Sequence, residues 1–468
     1  MIGKLLSSLR GEKQKTKNPI AIRARFDAAS ARGENFKHFS AADNLSADAA
    51  ANPEVRKRLR ERSRYETSNN SYAFGILETL ADYTVGSGPR LQLLTENNEI
   101  NSQIEKDFAL WAESVNLAEK LRIARITRCR DGEIFIILGN NPKKIESPVK
   151  LDLGLIEADC VTSDDFKNNV IDGIVFDRYG NPVEYRVLKN HPGSDKYNVN
   201  PLEYYTVKAE YMLHYFFPFR PGAHRGIPET TSALPLFAQT RRYTLAVLSA
   251  AEAAADFSAV IYTDNPPDGE SADLEPLDAI QLEKNMAVTL PGGWKLGQMD
   301  AKQPCSTFTE FQSQLLHEIA RCLKMPFCLV YGDFGGANYA SGRMDFQTFY
   351  KSVQVEQKNI VQKILNPLFR VWLREYCLAK NLNLDINIPH SWFWDGTEHV
   401  DPSKEANATD IRLKNGTTTY AQEFAKQGKD WEKEFLQIQK EKLRMQELGI
   451  SIADINQKLN KGGYEQDA

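Results

Sequence analysis

Between residues 305 and 380 apolar positions recur at helical spacing on either side of a glycine-rich break. Phe308, Phe311, Leu315, Ile319 and Leu323 keep a period near 3.6 residues, which predicts a helix. Thr307 with Glu310 three residues on is a capping-box start, and Pro326 stops the element. Phe346, Phe349, Val353, Ile360, Ile364, Leu368, Val371 and Trp372 predict a second helix from about Arg343 to Lys380, roughly 55–60 Å long at 1.5 Å per residue. Pro367 falls inside that pattern and predicts a kink. The break, Tyr331 to Gly342, holds Gly332, Gly335, Gly336 and Gly342, which give the backbone wide freedom. Taken alone, this pattern fits a helical hairpin in a large α-rich domain; the alternative is an element shared between subunits.

The rest of the chain alternates helical and strand patterns. Residues 1–50 are polar, rich in Ala and Ser, and expected to be flexible or ordered only by neighbours. A helix is predicted from Pro53; Arg56, Arg60 and Arg64 share one of its stripes, with Arg58 and Arg62 beside it. That stripe reads as a solvated face, with a phosphate or partner contact as the alternative. Phe74, Leu77, Leu80 and Val85 predict a buried helix capped by the preceding Ser/Asn cluster. Residues 100–130 read as helical, with Ile104, Phe108, Leu110 and Trp111 apolar. Strands follow at Glu133–Leu138, in a hairpin over 174–187 turning at Gly180-Asn181, and at Tyr211–Phe217. An Ala-rich helix covers 233–258. Prolines then interrupt 259–304, where eight acidic and three basic residues mark a small acidic module with strands near Ala259 and Ala287. Two last helices are predicted, from the Thr417–Thr419 cap to Gly428 and from Asp430 to Leu448. The second has a narrow apolar stripe and needs neighbours for stability.

Composition narrows the chemistry. The 468 residues suggest about three domains. No apolar run reaches about 18 residues, and the N-terminus is too briefly apolar for a signal peptide, so a soluble, non-secreted chain that makes no membrane contact is expected. The six cysteines form no C-x-x-C pair, so no metal site is indicated and no cofactor is expected. Neither a G-x-x-x-x-G-K-[ST] phosphate loop nor a G-x-S-x-G elbow occurs, so no catalytic residue is assigned. The net charge of −4 hides an asymmetry: residues 1–65 hold fifteen Lys/Arg and seven Asp/Glu, a balance of +8, which leaves −12 for the remainder. A basic arm on an acidic body points to nucleic acid or an acidic partner.

Several segments, in order, carry a resemblance. They are Asn69-Asn-Ser-Tyr-Ala with Val85-Gly-Ser-Gly, Arg130-Asp-Gly-Glu-Ile-Phe, Phe219-Arg-Pro-Gly-Ala-His-Arg-Gly-Ile-Pro, Glu318-Ile-Ala-Arg-Cys-Leu-Lys-Met-Pro followed by Asn338-Tyr-Ala-Ser, and Thr419-Tyr-Ala-Gln-Glu-Phe-Ala-Lys-Gln-Gly-Lys-Asp. Their order and spacing over roughly residues 53–450 resemble the lambda-like portal proteins of tailed bacteriophages. The resemblance implies an α+β portal fold: a basic arm (1–52), an α+β wing (53–232), a stem helix (233–258), a small α/β clip (259–304), a second stem helix (305–329), a tunnel loop (330–342), a long kinked spine helix (343–380), a return to the wing (381–415) and a helical crown with a tail (416–468). It implies a ring, usually of twelve copies, at one vertex of the virion capsid, assembled in the host cytoplasm with capsid and scaffold proteins. Double-stranded DNA would pass through it during packaging and ejection, and terminase and then the tail connector would dock on it. Phe334, Asn338, Tyr339, Ser341 and Arg343 would face DNA in the channel, with Gly332, Gly335, Gly336 and Gly342 giving the loop flexibility. Pro291, Gly292, Gly293 and Trp294 would lie on the clip where partners dock.

The charges agree with such a channel. Fixed phosphate contacts add affinity by counterion release, and an acidic clip would keep DNA sliding. Two other readings stay open. One is a head–tail adaptor or minor capsid protein without a tunnel. The other is a metal-dependent nucleic-acid enzyme using Asp131, the Asp164-Asp165 pair, and Glu157 with Asp159 as carboxylate ligands.

Overall fold

A computed structural model of the chain describes residues 37–143, 145–162, 169–195, 203–256, 260–263, 294–297, 308–335, 339–396 and 402–449. The chain divides into Met1–Ala50, whose described part carries the short helix Ala47–Ala50, and Ala51–Ala468. The second unit carries the other named elements among the described residues.

Its first helix, α1 (Pro53–Asn69), starts where the Asn52 side chain accepts from the Val55 N–H and Pro53 fills the first turn. Asn70 caps α2 (Ser71–Val85) in the same way, through the N–H groups of Tyr72 and Ala73. After β1 (Arg90–Leu93) come α3 (Asn98–Ser114) and α4 (Leu117–Asp131). The single helix expected over 100–130 is thus two, broken where Asn116 takes a left-handed φ of 52°.

Strands β2 (Glu133–Asn140) and β3 (Leu151–Glu157) pair antiparallel. β4 (Val170–Ile171), β5 (Ile174–Phe176), β6 (Pro182–Leu188) and β7 (Tyr204–Lys208) form a four-stranded antiparallel sheet in sequence order. The tight β5–β6 turn is held by the Asp177 carboxylate, which accepts from the N–H groups of Tyr179 and Asn181. β8 (Met212–Phe216) returns to the free edge of β2, giving the order β3-β2-β8. Strand β2 is covered on both faces. Ile134, Ile136 and Leu138 enter a helical core with α3 and α4, while Phe135 packs with Val161, Ile174, Tyr185 and Val187 of the neighbouring sheet. Double coverage explains why its sequence reads as a continuous apolar run.

The second half is mainly helical: α5 (Leu234–Asp256), the strand pair β9 (Val260–Thr263) and β10 (Trp294–Gly297), α6 (Phe308–Leu323), α7 (Phe327–Tyr331), and α8 (Tyr339–Ile360), which continues through a π turn, Val361–Leu365, into α9 (Asn366–Lys380). β11 (His390–Phe393) pairs antiparallel with β1. Then follow α10 (Pro402–Lys414), α11 (Tyr420–Lys426), capped by Thr419, and α12 (Trp431–Glu447), capped by Asp430.

The π turn has a packing reason. Ile360, Ile364, Leu368, Trp372 and Tyr376 are all buried, and they advance four residues at a time. In a 3.6-residue helix such a stripe drifts by about 40° per step. A wider turn takes back part of the drift, and it lies just before Pro367, whose ring a regular α-helix would not accept there. The buried stripe ends in an aromatic cluster in which Phe108 meets Trp372 edge-on at 5.1 Å and Phe369 at 5.9 Å, geometries worth about 0.5–1.5 kcal/mol each beyond their area.

Three sequence expectations fail here. Phe74, expected inside, is 56% exposed, and Leu110 and Phe311 are also largely exposed. Leu77, Leu80 and Val85 are buried as expected, and Ile76 joins them on the inner face of α2 in place of Phe74. The long helix begins at Tyr339 rather than near Arg343. A lone glycine costs a helix about 1 kcal/mol, which the continuing backbone hydrogen bonds outweigh at Gly342. The arginine stripe of α1 is not solvated: Arg56 and Arg60 are buried.

Candidate functional site

The expected loop starts where Gly332, at φ 77°, closes α7 by donating its N–H to the Cys328 carbonyl at 2.9 Å. The Asp333 carboxylate accepts from the Gly335 N–H at 2.7 Å. Phe334 is 56% exposed, and its ring lies 6.5 Å from that of Phe346 in near-parallel stacking. Gly336 and Asn338 lie outside the described residues. Tyr339, Ser341 and Gly342 belong to α8 and not to the loop, which corrects their expected setting, while Arg343 lies in the long helix as expected. Arg343 is exposed on the second turn. A ladder of stacked rings supports the base of the loop: His317 on Phe327 at 3.6 Å, Phe327 on Tyr331 at 5.3 Å and Tyr331 on Tyr72 at 6.4 Å. It fastens α7 between α6 and α2.

Helices α5 and α6 pack through Tyr243, whose ring meets Phe308 at 5.4 Å and Phe311 at 4.9 Å. Leu315, Leu316, Ile319 and Leu323 form the buried face of α6. Leu245 and Leu248 on α5 remain exposed. Trp294 opens β10, opposite Thr263 of β9; Pro291, Gly292 and Gly293 lie outside the described residues.

Two of the carboxylates that an enzyme would need, Asp131 and Asp159, are engaged by arginines. Arg64 holds Asp131 at 2.9 Å and Asp159 at 2.7 Å, Arg60 holds Asp159 at 3.1 Å, and Arg56 pairs with Asp172. Burial alone would push the Asp159 carboxyl up, but Arg60 and Arg64 hold it below its ordinary value. Glu157, Asp159 and His191 could converge on a cation. Yet Arg60 and Arg64 already supply the counter-charge of Asp159, and His191 Nδ1 accepts from the Gly193 N–H. Asp164 and Asp165 lie outside the described residues.

Deeper in, Arg225 pairs with Glu133 and Asp172, and His214 Nε2 lies 2.9 Å from Glu133 Oε2. Arg125 and Arg128 converge on Glu229, and Arg128 also reaches Glu356 of α8. The sequence signal for these pairs is faint: two of the segments that carry the resemblance, around Gly132 and around Gly226, each hold a charged residue beside a glycine. The structure brings them together. A Cβ on Gly132 would sit 2.4 Å from the Ile227 carbonyl carbon, and one on Gly226 would sit 2.2 Å from the Gly132 oxygen.

No helix among the described residues is long and apolar enough to cross a membrane. A probable portal protein of Halomonas phage phiHAP-1 is 25% identical over 423 residues, covering 84% of this chain and 81% of that protein. Two solved structures align with lower identity. The virion of a native gene transfer agent particle matches at 15% identity with a TM-score of 0.49, covering 81% of this chain and 94% of that one. The neck of a native gene transfer agent particle, computed with C12 symmetry, matches at 15% identity with a TM-score of 0.46 over the same shares. The family described as phage portal protein, lambda family, matches residues 35–357, well over half of the sequence, and the chain belongs to that family.

Proposed function

We propose that the chain assembles into a closed ring at one capsid vertex of the virion and forms the channel through which double-stranded DNA enters during packaging and leaves during ejection. The family is structural and non-enzymatic, so the energy for DNA movement comes from a docked terminase, which the tail connector later replaces. Capsid and scaffold proteins are the partners during assembly in the host cytoplasm. In this reading residues 53–232 are the wing, α5 and α6 the stem, 259–304 the clip, 330–342 the tunnel loop, the α8–α9 helix the spine, and 416–468 the crown.

The observation that carries the ring is α12. Its 17 residues include no buried side chain, although Leu436 is 58% and Leu443 53% exposed. An amphipathic helix in that state gains stability only from a neighbour. In a closed ring the neighbour is the next copy, met through a heterologous contact. Negative-stain images and light scattering after size exclusion test this. Rings with a central hole support the reading, and a monomeric mass at micromolar concentration overturns it. An assembly without a hole favours a head–tail adaptor.

A further inference from the structure

The outward side of the long helix carries an unbroken run of cations. Lys351, Lys358, Lys363, Arg370 and Arg374 are all exposed. None of the five makes an ion pair with a described residue. From Phe346 to Arg374 the sole carboxylate is Glu356, and it turns inward onto Arg128 and Tyr215. The intervening Gln347, Gln354 and Gln362 are exposed amides. The π turn keeps the downstream arginines near the line of the upstream lysines, just as it does for the buried stripe opposite. From Lys351 to Arg374 the run covers about 35 Å at 1.5 Å per residue, close to one turn of B-form DNA at about 34–36 Å.

We infer that this face is a sequence-independent binding surface for the phosphate backbone of duplex DNA. The inference rests on the channel reading above and adds to it a surface beyond the loop. A protein partner fits the face less well. Interface cores are enriched in aromatic residues and depleted of lysine, whereas Val355 is the single large apolar side chain exposed between Lys351 and Arg374. Phosphate contacts carry no sequence information, are screened by salt and permit sliding. That suits DNA which has to pass without being gripped.

The test uses the full chain with Lys351, Lys358, Lys363, Arg370 and Arg374 all changed to Gln, which is nearly neutral for helix propensity. Binding to a random-sequence duplex of about three helical turns is measured between about 50 and 200 mM salt. The expected result is binding weakened more than about tenfold, with the salt slope reduced by about 0.9 for each phosphate no longer neutralised. Changing Lys351, Lys358 and Lys363 to Arg keeps binding, and changing the exposed Lys57 and Arg62 of α1 to Gln leaves it unaltered. An unchanged affinity and slope in the five-fold variant overturns the inference. So does a variant that binds DNA normally but loses ring mass, which would assign the face to a second copy. Wild-type rings that bind no duplex even at low salt also overturn it, while leaving the portal reading in place. Absence of rings from the wild type counts against the portal reading itself.

Discussion

Arg225 and Glu133 form a buried ion pair, with Arg225 Nη2 2.8 Å and Nε 2.9 Å from the same Glu133 oxygen. The other carboxylate oxygen accepts from the Gly226 N–H at 3.0 Å. The pair joins the start of β2 to a segment more than ninety residues away. Removing one partner strands a charge in a dry interior. Glu133→Gln should therefore destabilise the body by about 3–5 kcal/mol, read as a lowered midpoint in thermal or urea unfolding.

The same network makes the fold acid-sensitive. His214 is buried between the rings of Phe135 and Phe216 and faces Glu133 and Arg225. Burial holds its imidazole below the ordinary value despite the hydrogen bond to Glu133. Its neutral form contributes stability that is present above an unfolded value of about 6.5 and lost as pH falls below it. Buried Glu133 is held well below the ordinary carboxylate range by Arg225 and His214, and Glu229 is lowered by Arg125 and Arg128, in each case against the opposing effect of burial. Their contribution is lost below about pH 4.5. Unfolding midpoints should fall in two stages on acidification, and His214→Gln should remove the first.

Gly132 has φ 94° and backbone neighbours on its side-chain position. Gly132→Ala should cost about 1–2 kcal/mol for handedness and about 1–3 kcal/mol more for crowding. Gly180, at φ 81° with nothing within 4 Å, is the control. Gly180→Ala should cost only the first amount. Chemical denaturation of the two variants side by side measures the difference.

Leu436→Glu with Leu443→Glu should abolish ring mass in light scattering while far-UV circular dichroism stays unchanged, because neither side chain is buried within the chain. A ring that survives both changes places the subunit contact elsewhere.

Asn338→Ala with Tyr339→Ala should leave rings intact and impair DNA filling or retention. Gly335→Pro with Gly336→Pro should give a stronger defect of the same kind by stiffening the loop. Complete genomes filled and held by both variants would exclude the loop as a working part.

Much of this molecule could be read along the chain, where structure is local. The helix around Leu315 and Ile319, the long helix, the Asp177–Asn181 hairpin and the Thr419 cap all follow from spacing and turn chemistry within a few residues. The pairing of Arg90 with Phe393 does not, because strands four residues long carry no mark of their partner. The stripe of Arg56, Arg60 and Arg64 misled for a related reason. Spacing showed that the arginines share a face, but not that Asp172, Asp159 and Asp131 lie opposite them. The sequence places the start of the long helix four residues late, since glycine frequency says where the backbone is free to bend rather than where hydrogen bonding resumes.

The π turn at Val361–Leu365 also bears on how this protein compares with its kin. One surplus residue is absorbed inside a helix without disturbing either end. A relative lacking it would keep both halves of the buried stripe, with its numbering slipped by one beyond the turn. Position-by-position comparison that runs a single ungapped register through 361–365 would then match buried Phe369 and Leu373 with the counterparts of exposed Arg370 and Arg374. The seam in the helix is therefore where an insertion or deletion belongs in any such comparison.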